Sequence, residues 1–131
     1  AVMTPTGIDV DRQGRIWAVS THTHFRPTDY SGPKHDSVIV YADRDGDGRH
    51  ESSTLFYEQT DATMDLELGP DNWVYLAERD RILRVRDTDG DGRGDEEEDI
   101  AVLQTTRIAK LRVAILQYWL SITRCAERTT P

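Results

Sequence analysis

The chain carries the same acidic, glycine-spaced segment twice, and this duplication constrains its fold more than any other feature of the sequence. DRDGDGRHE begins at Asp43 and DTDGDGRGD begins at Asp87, 44 residues further on. The surrounding residues 36–49 and 80–93 align at the same offset. A chain of 131 residues that repeats itself over this span is expected to fold into two similar units.

A second pair of segments extends the repeat toward the amino terminus. Residues 7–20 align with residues 65–78 at an offset of 58, and the apolar positions of the two copies coincide. The two offsets differ, so the first copy holds 14 extra residues, which lie within residues 21–36. Apolar and polar residues alternate in both segments and are interrupted by turn sequences such as Gly-Pro-Asp-Asn, which predicts β-hairpins.

The repeat predicts a mainly β fold made of two β-propeller-type blades. A third strand is expected after each hairpin, at residues 38–41 and 82–85, and the acidic loop follows it. The first copy has a clear fourth strand at residues 54–59, whereas the second copy has none. Four short antiparallel strands in about 40 to 45 residues is the size of one blade, and two blades leave a propeller incomplete. An ordinary duplicated meander sheet is the simpler alternative.

The charge of the chain changes near Ala101 and divides it into two regions. Residues 1–100 have a formal charge of −12 and residues 101–131 a charge of +4. The shift in composition coincides with the end of the second repeat. The expected domains are a propeller fragment at residues 1–103, with blade repeats at about 7–59 and 65–103, and a basic tail at residues 104–131.

The tail is expected to form a basic amphipathic α-helix. Its apolar residues recur at spacings of three and four between Ile108 and Ile122, which is the period of a helix. The tail is either a capping element or an addition unrelated to the repeat, as a truncated or frameshifted reading frame would give, and we favour the second account. Its apolar face would then cover a strand edge that the missing blades leave open, because open edges promote self-association.

The two acidic loops have the residue pattern of a calcium-binding loop. Carboxylates stand at alternate positions, and a glycine at the sixth position lets the chain fold their oxygens round one centre, as in an EF-hand loop. Hard oxygen ligands favour Ca²⁺ over softer metals. The predicted ligands are Asp43, Asp45, Asp47, the Arg49 carbonyl and Glu51 in the first loop, and Asp87, Asp89, Asp91, the Arg93 carbonyl, Asp95 and Glu98 in the second.

Two other interpretations apply to these loops. Asp-Gly is a favoured hairpin pair, so the loops could be plain turns, but a turn does not require four acids. True EF-hands are disfavoured, because the twelfth position of the first loop is Thr54 and the residues after it are strand-like. Glu98 fills the twelfth position of the second loop, which predicts that the second site is the tighter one.

Charge and hydropathy argue against several classes of partner. An acidic body repels phosphate backbones, so nucleic acid is not expected as a partner. No stretch approaches 18 consecutive apolar residues, which argues against a membrane span. The first residues lack the basic start and apolar run of a signal peptide, so none is predicted in this chain. Cys125 is the only cysteine and excludes an internal disulfide.

The sequence also resembles known families. The acidic loops alone resemble the calcium hairpins of integrin-type propellers and of thrombospondin type 3 repeats. GIDVDRQGRIWAVS, LELGPDNWVYLAERDRILRVRDTDGDG and the two loops together resemble, over residues 7 to about 103, the amino-terminal propeller of planctomycete-type membrane-bound dehydrogenases. That family is similar to soluble quinoprotein glucose and sorbosone dehydrogenases. The resemblance implies a six-bladed propeller, calcium dependence, a pyrroloquinoline quinone (PQQ) or sugar site on its axis, and a periplasmic or extracytoplasmic location.

The catalytic residues of the family do not carry over with this resemblance. In quinoproteins a general-base histidine precedes a Gly-Pro-Asp turn, but TDATMDLELGPD contains none and the nearest upstream histidine is His50. His22 and His24 lie on one face of an extended strand and would suit a metal or substrate, although solvated loop residues are the simpler interpretation. We therefore predict a calcium-binding fragment of a quinoprotein-like dehydrogenase that is inactive alone. A calcium-stabilised module that binds a glycan or a protein is the alternative.

Overall fold

The computed structural model describes residues 4–24 and 26–104 and arranges them in eight β-strands. They form two four-stranded antiparallel sheets, in the orders β1-β2-β3-β4 and β5-β6-β7-β8. The mainly β architecture is confirmed for these residues, and the expected helical tail lies outside them. The strands are β1 (Pro5–Val10), β2 (Ile16–Ser20), β3 (Asp36–Ala42), β4 (Ser52–Thr60), β5 (Asp65–Leu68), β6 (Val74–Ala77), β7 (Arg81–Arg86) and β8 (Glu96–Val102).

The second sheet has a fourth strand that the sequence pattern did not predict. β8 reads EEEDIAV, without the apolar alternation that identifies a half-buried strand. Arg84 and Arg86 of β7 lie opposite Glu98 and Glu96 and form ion pairs with them at 2.5 and 2.6 Å. Opposite charges on neighbouring strands contribute about 0.2–1 kcal/mol per pair. The charges of β7 therefore stabilise a strand whose own sequence gives little sign of one.

The pairing registers of the two sheets show that the repeat holds residue by residue. Strand partners in the first sheet recur in the second at the offsets of 58 and 44, and both outer strand pairs shift register at the same place. The 14 extra residues fall between β2 and β3 and leave the pairing unchanged. The matched pairs are Ile8–Ala18 with Leu66–Leu76, Ala18–Ile39 with Leu76–Leu83, and Ile39–Leu55 with Leu83–Asp99.

The apolar core lies between the two sheets. Along each strand the core residues alternate with residues of the opposite face, because side chains two positions apart share a face. Burying a large apolar side chain contributes about 1.5–3 kcal/mol, so this contact is the main source of the fold's stability. The core comprises Trp17, Val19, Val38, Val40, Phe56 and Tyr57 from the first sheet, and Leu66, Val74, Leu76, Leu83 and Val85 from the second.

The sheets approach each other most closely where β1 packs on β5. A Cβ atom at Gly7 would lie 2.6 Å from the backbone nitrogen of Leu66, so only glycine allows this contact. The N–H of Leu68 donates a hydrogen bond to the Asp9 carboxylate across the same contact (2.9 Å). The first and fifth strands therefore meet through backbone and short side chains, while the larger core residues fill the space further out.

The hairpin turns of the two sheets share a left-handed backbone residue. Gly14 has φ of 77° in the β1–β2 turn, and Asn72, 58 residues later, has φ of 67° before β6. Asparagine is one of the few residues other than glycine that adopt this conformation at little cost. In the first turn the Asp11 carboxylate accepts hydrogen bonds from the N–H of Arg15 (2.9 Å) and from the Trp17 indole (3.0 Å). The repeat thus extends to the turn geometry.

The connection between the sheets is held by a buried carboxylate. Asp36 is fully buried and accepts hydrogen bonds from the N–H of His22 (2.5 Å), of Thr23 (2.8 Å) and of Thr63 (2.9 Å). Burial alone raises the pKa of Asp36, but the hydrogen bond from Thr63 and those from His22 and Thr23 outweigh burial and lower this pKa below its ordinary value. Asp36 is therefore a buried anion whose hydrogen bonds join the loop before β3 to the segment before β5.

Candidate metal centres

The first acidic loop joins β3 to β4 and is organised by Asp43. The Asp43 carboxylate accepts hydrogen bonds from the N–H of Gly46 (2.7 Å) and of Gly48 (2.9 Å). These glycines have φ of 78° and 87°, a region that L side chains rarely adopt. The hydrogen bond from Gly48, assisted by that from Gly46, holds the pKa of Asp43 below its ordinary value. Asp43 is therefore ionised and fixed inside the loop.

Four carboxylates of this loop form one group that could hold a metal ion. Asp43, Asp45, Asp47 and Glu51 each offer one oxygen, and these oxygens lie within 4.8 Å of one another. Oxygen ligands bind Ca²⁺ at about 2.3–2.6 Å, so two of them on opposite sides of the ion are about 5 Å apart. The spacing therefore fits a single Ca²⁺. Three of the four residues are exposed, which leaves room for water ligands.

The second acidic loop joins β7 to β8 and repeats this geometry. The Asp87 carboxylate accepts hydrogen bonds from the N–H of Gly90 (2.7 Å) and of Gly92 (2.8 Å). The bond from Gly92, assisted by that from Gly90, lowers the pKa of Asp87. Asp87, Asp89 and Asp95 form a group of three carboxylates with oxygens within 4.8 Å of one another. The second loop therefore brings together one carboxylate fewer than the first.

Asp95 closes the second loop through Thr88. The hydroxyl of Thr88 donates to one Asp95 oxygen (2.6 Å) and its N–H donates to the other (2.9 Å). The hydrogen bond from the Thr88 hydroxyl has the larger effect and that from the Thr88 N–H the next, and both lower the pKa of Asp95. In the first loop the corresponding contact is weaker, since the N–H of Arg44 lies 3.3 Å from Glu51. Both loops thus fold back on their ninth residue, which carries a carboxylate in each.

Several predicted ligands lie outside these two groups. Asp91 is not part of the second group, and its carboxylate accepts the N–H of Arg93 (2.7 Å). The equivalent bond in the first loop runs from the N–H of Arg49 to Asp47 (2.7 Å), although Asp47 does belong to its group. Arg49 and Arg93 occupy the seventh position of their loops, directly after Gly48 and Gly92.

The prediction that Glu98 completes the second site is not met by the geometry. Glu98 lies in β8 and its carboxylate binds the guanidinium of Arg84 at 2.5 and 2.9 Å. In the first sheet Thr54, the residue at the same position, lies opposite Val40 in β4. A strand follows each loop, so the chain extends away from the loop and does not return a twelfth-position ligand. The expectation of a tighter second site therefore loses its basis.

The described histidines take no part in the two carboxylate groups. His22 Nε2 lies 3.2 Å from the Ser20 hydroxyl, and the His22 N–H binds Asp36. His24 is exposed. His50 follows the first acidic loop, and its Nε2 lies 3.2 Å from the Gly14 carbonyl. His22 and His50 therefore contact the protein itself and are half-buried, and of these three residues only His24 is exposed as a solvated loop residue would be.

The insertion before β3 forms a shallow pocket of about 380 Å³ lined by Arg26, Tyr30 and Lys34. Arg26 donates a hydrogen bond to the Lys34 carbonyl and lies 3.8 Å from the Asp61 carboxylate. A quinone cofactor requires several cationic groups around its carboxylates. This pocket supplies two, and Asp61 partly neutralises one of them, so its residues do not fit PQQ.

Comparisons with known proteins place the chain in a family without assigning it an activity. No helix among the residues that the model describes is long and apolar enough to cross a bilayer. No curated protein matches the chain, and no solved structure matches it. A family model for a domain of unknown function, DUF7133, matches residues 1–118, which is most of the chain. The chain therefore belongs to the DUF7133 family.

Proposed function

We propose that the chain is a calcium-stabilised β-repeat module in which each acidic loop binds one Ca²⁺. The observation that carries this proposal is the recurrence of one loop geometry, 44 residues apart, with four carboxylates grouped in one loop and three in the other. In both loops the leading aspartate, Asp43 or Asp87, accepts hydrogen bonds from two glycines. A plain turn would not need grouped carboxylates, whose mutual repulsion is relieved by a bound cation.

Calcium would act by joining the last two strands of each sheet. The loops connect β3 to β4 and β7 to β8, so an ion held by residues at both ends of a loop ties the outermost strand to its neighbour. An ion that binds only the folded chain raises its stability by RT ln(1 + [L]/Kd), about 2.7 kcal/mol at 100 times Kd. This is a large part of the 5–15 kcal/mol that is typical of a folded domain.

The first loop is proposed to bind Ca²⁺ more tightly than the second. Calcium affinity rises with the number of carboxylate ligands, and the first loop groups four against three in the second. This order reverses the one expected from Glu98. The ion pair of Glu98 with Arg84 supports the reversal, because it engages the carboxylate that would have added a ligand.

We also propose that the module is located outside the cytoplasm. Open, water-exposed calcium sites of extracellular modules have dissociation constants of about 10⁻⁴–10⁻³ M, which suits the calcium concentration outside a cytoplasm. Most of the grouped carboxylates here are exposed, as in such open sites. We infer that the module uses calcium as a permanent structural ion and not as a signal.

The two sheets are proposed to be blades of a β-propeller. The support for this is the antiparallel order of four strands in each sheet and the contact of the first strands, β1 and β5, with each other. Blades of a propeller pack in this way, with their innermost strands near a common axis. The quinoprotein-like activity rests on sequence resemblance alone, and we propose that this chain does not catalyse sugar oxidation, because neither a base nor a quinone site is identified among its described residues.

Isothermal titration calorimetry with CaCl₂ tests the calcium proposal directly. We expect two binding events, the tighter one removed by replacing Asp43 and Asp45 with Asn and the weaker one by replacing Asp87 and Asp89. Each double variant serves as the matched control for the other, because the substitutions are the same and the loops are repeats. Titration with MgCl₂ should give weaker binding, since Mg²⁺ demands shorter bonds and gives up its water reluctantly. Absence of heat at millimolar CaCl₂ would refute the proposal.

A further inference from the structure

The second acidic loop packs against the first sheet as well as against its own strands. The N–H of Gly94, the eighth residue of this loop, donates a hydrogen bond to the Phe56 carbonyl of β4 (2.8 Å). A Cβ atom at Gly94 would overlap the Val85 side chain and lie 3.2 Å from the Phe56 ring, so glycine is needed for this approach. A Cβ atom at Gly92 would lie 3.9 Å from the methyl group of Thr54, which is an ordinary contact. The second loop therefore spans from one sheet to the other.

A β-bulge in β4 makes the Phe56 carbonyl available for this hydrogen bond. Val38 of β3 pairs with Tyr57, and the next residue of β3, Ile39, pairs with Leu55. Phe56 is thus the extra residue of a bulge, and such a residue is left out of the ladder of strand hydrogen bonds. The bulge also brings Phe56 and Tyr57, which are neighbours in sequence, into the core together. It therefore presents a carbonyl and two aromatic side chains to the second sheet.

A second hydrogen bond joins β4 to β8 beside the loop. The Tyr57 hydroxyl donates to the Glu97 carboxylate, which also pairs with Arg81 of β7 at 2.7 Å. Tyr57 is buried, and a hydrogen bond shielded from water is stronger than an exposed one. The bond from Gly94 to Phe56 and the bond from Tyr57 to Glu97 together form what we call the β4 contact.

The internal repeat shows that the β4 contact runs in one direction. The repeat equivalent of Gly94 is His50, 44 residues earlier, and its Nε2 lies 3.2 Å from the Gly14 carbonyl of its own sheet. The repeat equivalent of Phe56 is Ile100, which is 47% exposed, whereas Phe56 is 4% exposed. Among the residues that the structure describes, a backbone hydrogen bond from an acidic loop to the other sheet is present for the second loop and not for the first.

We infer that β4 completes the second acidic loop, so that the state of the first loop controls the second. β4 begins directly after Glu51 of the first loop and continues to Phe56. It is the outermost strand of its sheet and pairs with β3 alone, and strands of this kind open more readily than central ones. Whatever fixes the start of β4 therefore keeps the Phe56 carbonyl in place for Gly94. Calcium bound by Glu51 would do so, and this part of the inference rests on the calcium proposal above.

The β4 contact implies that the two calcium sites bind cooperatively. Gly94 directly precedes Asp95, which belongs to the second carboxylate group, and the N–H of Gly92 binds Asp87 of the same group. The net contribution of one hydrogen bond corresponds to a change of about 2- to 12-fold in an equilibrium constant. An ion in the first loop should raise the calcium affinity of the second by about this factor. Linkage requires the same factor in the reverse direction.

Amide hydrogen exchange in EDTA, followed by NMR, tests the β4 contact without calcium. Tyr57→Phe removes the hydroxyl of this contact and keeps the aromatic ring in the core. The amides of Gly92 and Gly94 should exchange about 2- to 12-fold faster in this variant, and that of Gly48 in the first loop should not change. The matched control is Tyr41→Phe, on the opposite face of the first sheet, which should leave both loops unchanged. Equal rates at Gly94 in Tyr57→Phe and in the wild type would overturn the inference.

The double variant Asp87→Asn, Asp89→Asn tests the coupling, because calcium can then bind only to the first loop. Adding CaCl₂ should slow the exchange of the Gly94 amide together with the amides of β4. In the reverse experiment, calorimetry of Asp43→Asn, Asp45→Asn should show the second site binding about 2- to 12-fold more weakly than in the wild type.

The outcomes separate the coupling from calcium binding itself. Calcium that slows exchange in β4 but leaves Gly94 unchanged would confirm the first site and overturn the coupling. If the wild type gave no heat with CaCl₂, the calcium proposal would fail and the cooperativity with it. Faster exchange at Gly94 in Tyr57→Phe would still support the β4 contact in that case, because that comparison is made in EDTA.

Discussion

The Asp36 carboxylate at the start of β3 accepts the N–H of Thr63, 27 residues later, at 2.9 Å. Thr63 lies in the segment that leads into the second sheet, and its carbonyl accepts the hydroxyl protons of Thr6 (2.8 Å) and Thr21 (3.1 Å). Thr63 is thus hydrogen-bonded to the first half of the chain through both its N–H and its carbonyl. This arrangement fixes where the second sheet begins relative to the first and makes Asp36 the anchor of the repeat junction.

Replacing Asp36 with Asn should destabilise the fold. Asparagine keeps one acceptor oxygen but points an NH₂ group at backbone donors, which leaves at least one buried N–H without a partner at a cost of about 1–3 kcal/mol. Chemical denaturation followed by tryptophan fluorescence measures the loss. The matched control is Asp80→Asn, at the repeat-equivalent exposed position, which should change the free energy of unfolding by less than about 0.5 kcal/mol. Equal effects of both substitutions would contradict the anchoring role.

The stability contributed by Asp36 should disappear in acid. Its pKa is lower in the folded chain than in the unfolded one, so its contribution is present above the unfolded value, about 3.9, and is lost as the pH falls through the folded value. Denaturation of the wild type and of Asp36→Asn at several pH values checks this. The difference between them should be constant from pH 7 to pH 5 and should shrink below about pH 4. A difference that grew on acidification would show that the pKa is raised instead.

Removing calcium should lower the melting temperature of the wild-type chain. EDTA is expected to remove the stabilisation that both loops receive from the ion. The double variant Asp43→Asn, Asp45→Asn should lose less melting temperature on addition of EDTA than the wild type. The double variant Asp87→Asn, Asp89→Asn should keep most of the wild-type decrease. The reason is the larger carboxylate group of the first loop. Differential scanning calorimetry with and without CaCl₂ measures each shift. If Asp87→Asn, Asp89→Asn reduced the effect of EDTA more than Asp43→Asn, Asp45→Asn did, the second loop would be the tighter calcium site, as the position of Glu98 in the sequence predicts.

Replacing Gly7 with Ala should separate the sheets where β1 meets β5. The added methyl group would lie 2.6 Å from the Leu66 nitrogen, and relieving such an overlap costs about 1–3 kcal/mol. The control Gly14→Asn should be nearly neutral, because Asn72 already adopts the same left-handed conformation at the equivalent turn. Urea denaturation of both variants tests the pair. A tolerated Gly7→Ala change would mean that β1 and β5 are not in close contact in solution.

The purified chain should not oxidise sugars or alcohols, even with quinone and Ca²⁺ added. His22 and His50 contact Ser20 and Gly14. The pocket of the insertion, which Arg26 and Lys34 line, does not fit a quinone. A dye-linked assay, compared with heat-denatured protein, measures any turnover. Activity that heating abolishes would show that this chain contains a catalytic site.

Local sequence patterns are sufficient to predict most of the fold. Alternating apolar residues and turn sequences are short-range signals, and they predicted seven of the eight strands because each signal lies within the strand or turn that it specifies. The acidic loops are local in the same sense: the hydrogen bonds of Asp43 run to Gly46 and Gly48, within five residues. Spacing alone therefore predicts that each loop brings carboxylates together, although Asp91 and Glu98 lie outside the second group.

Tertiary structure decided what depends on residues far apart in the chain. β8 is a strand because Arg84 and Arg86 of β7 neutralise its glutamates, a contact that its own residues do not reveal. The same pairing engages Glu98, which the loop pattern alone had assigned to a metal. Asp36 and Asp80 are equivalent in the repeat, yet only Asp36 is buried, since only it has the Thr63 segment packed against it. Burial and charge pairing are properties of the assembled sheets, and no spacing within one segment encodes them.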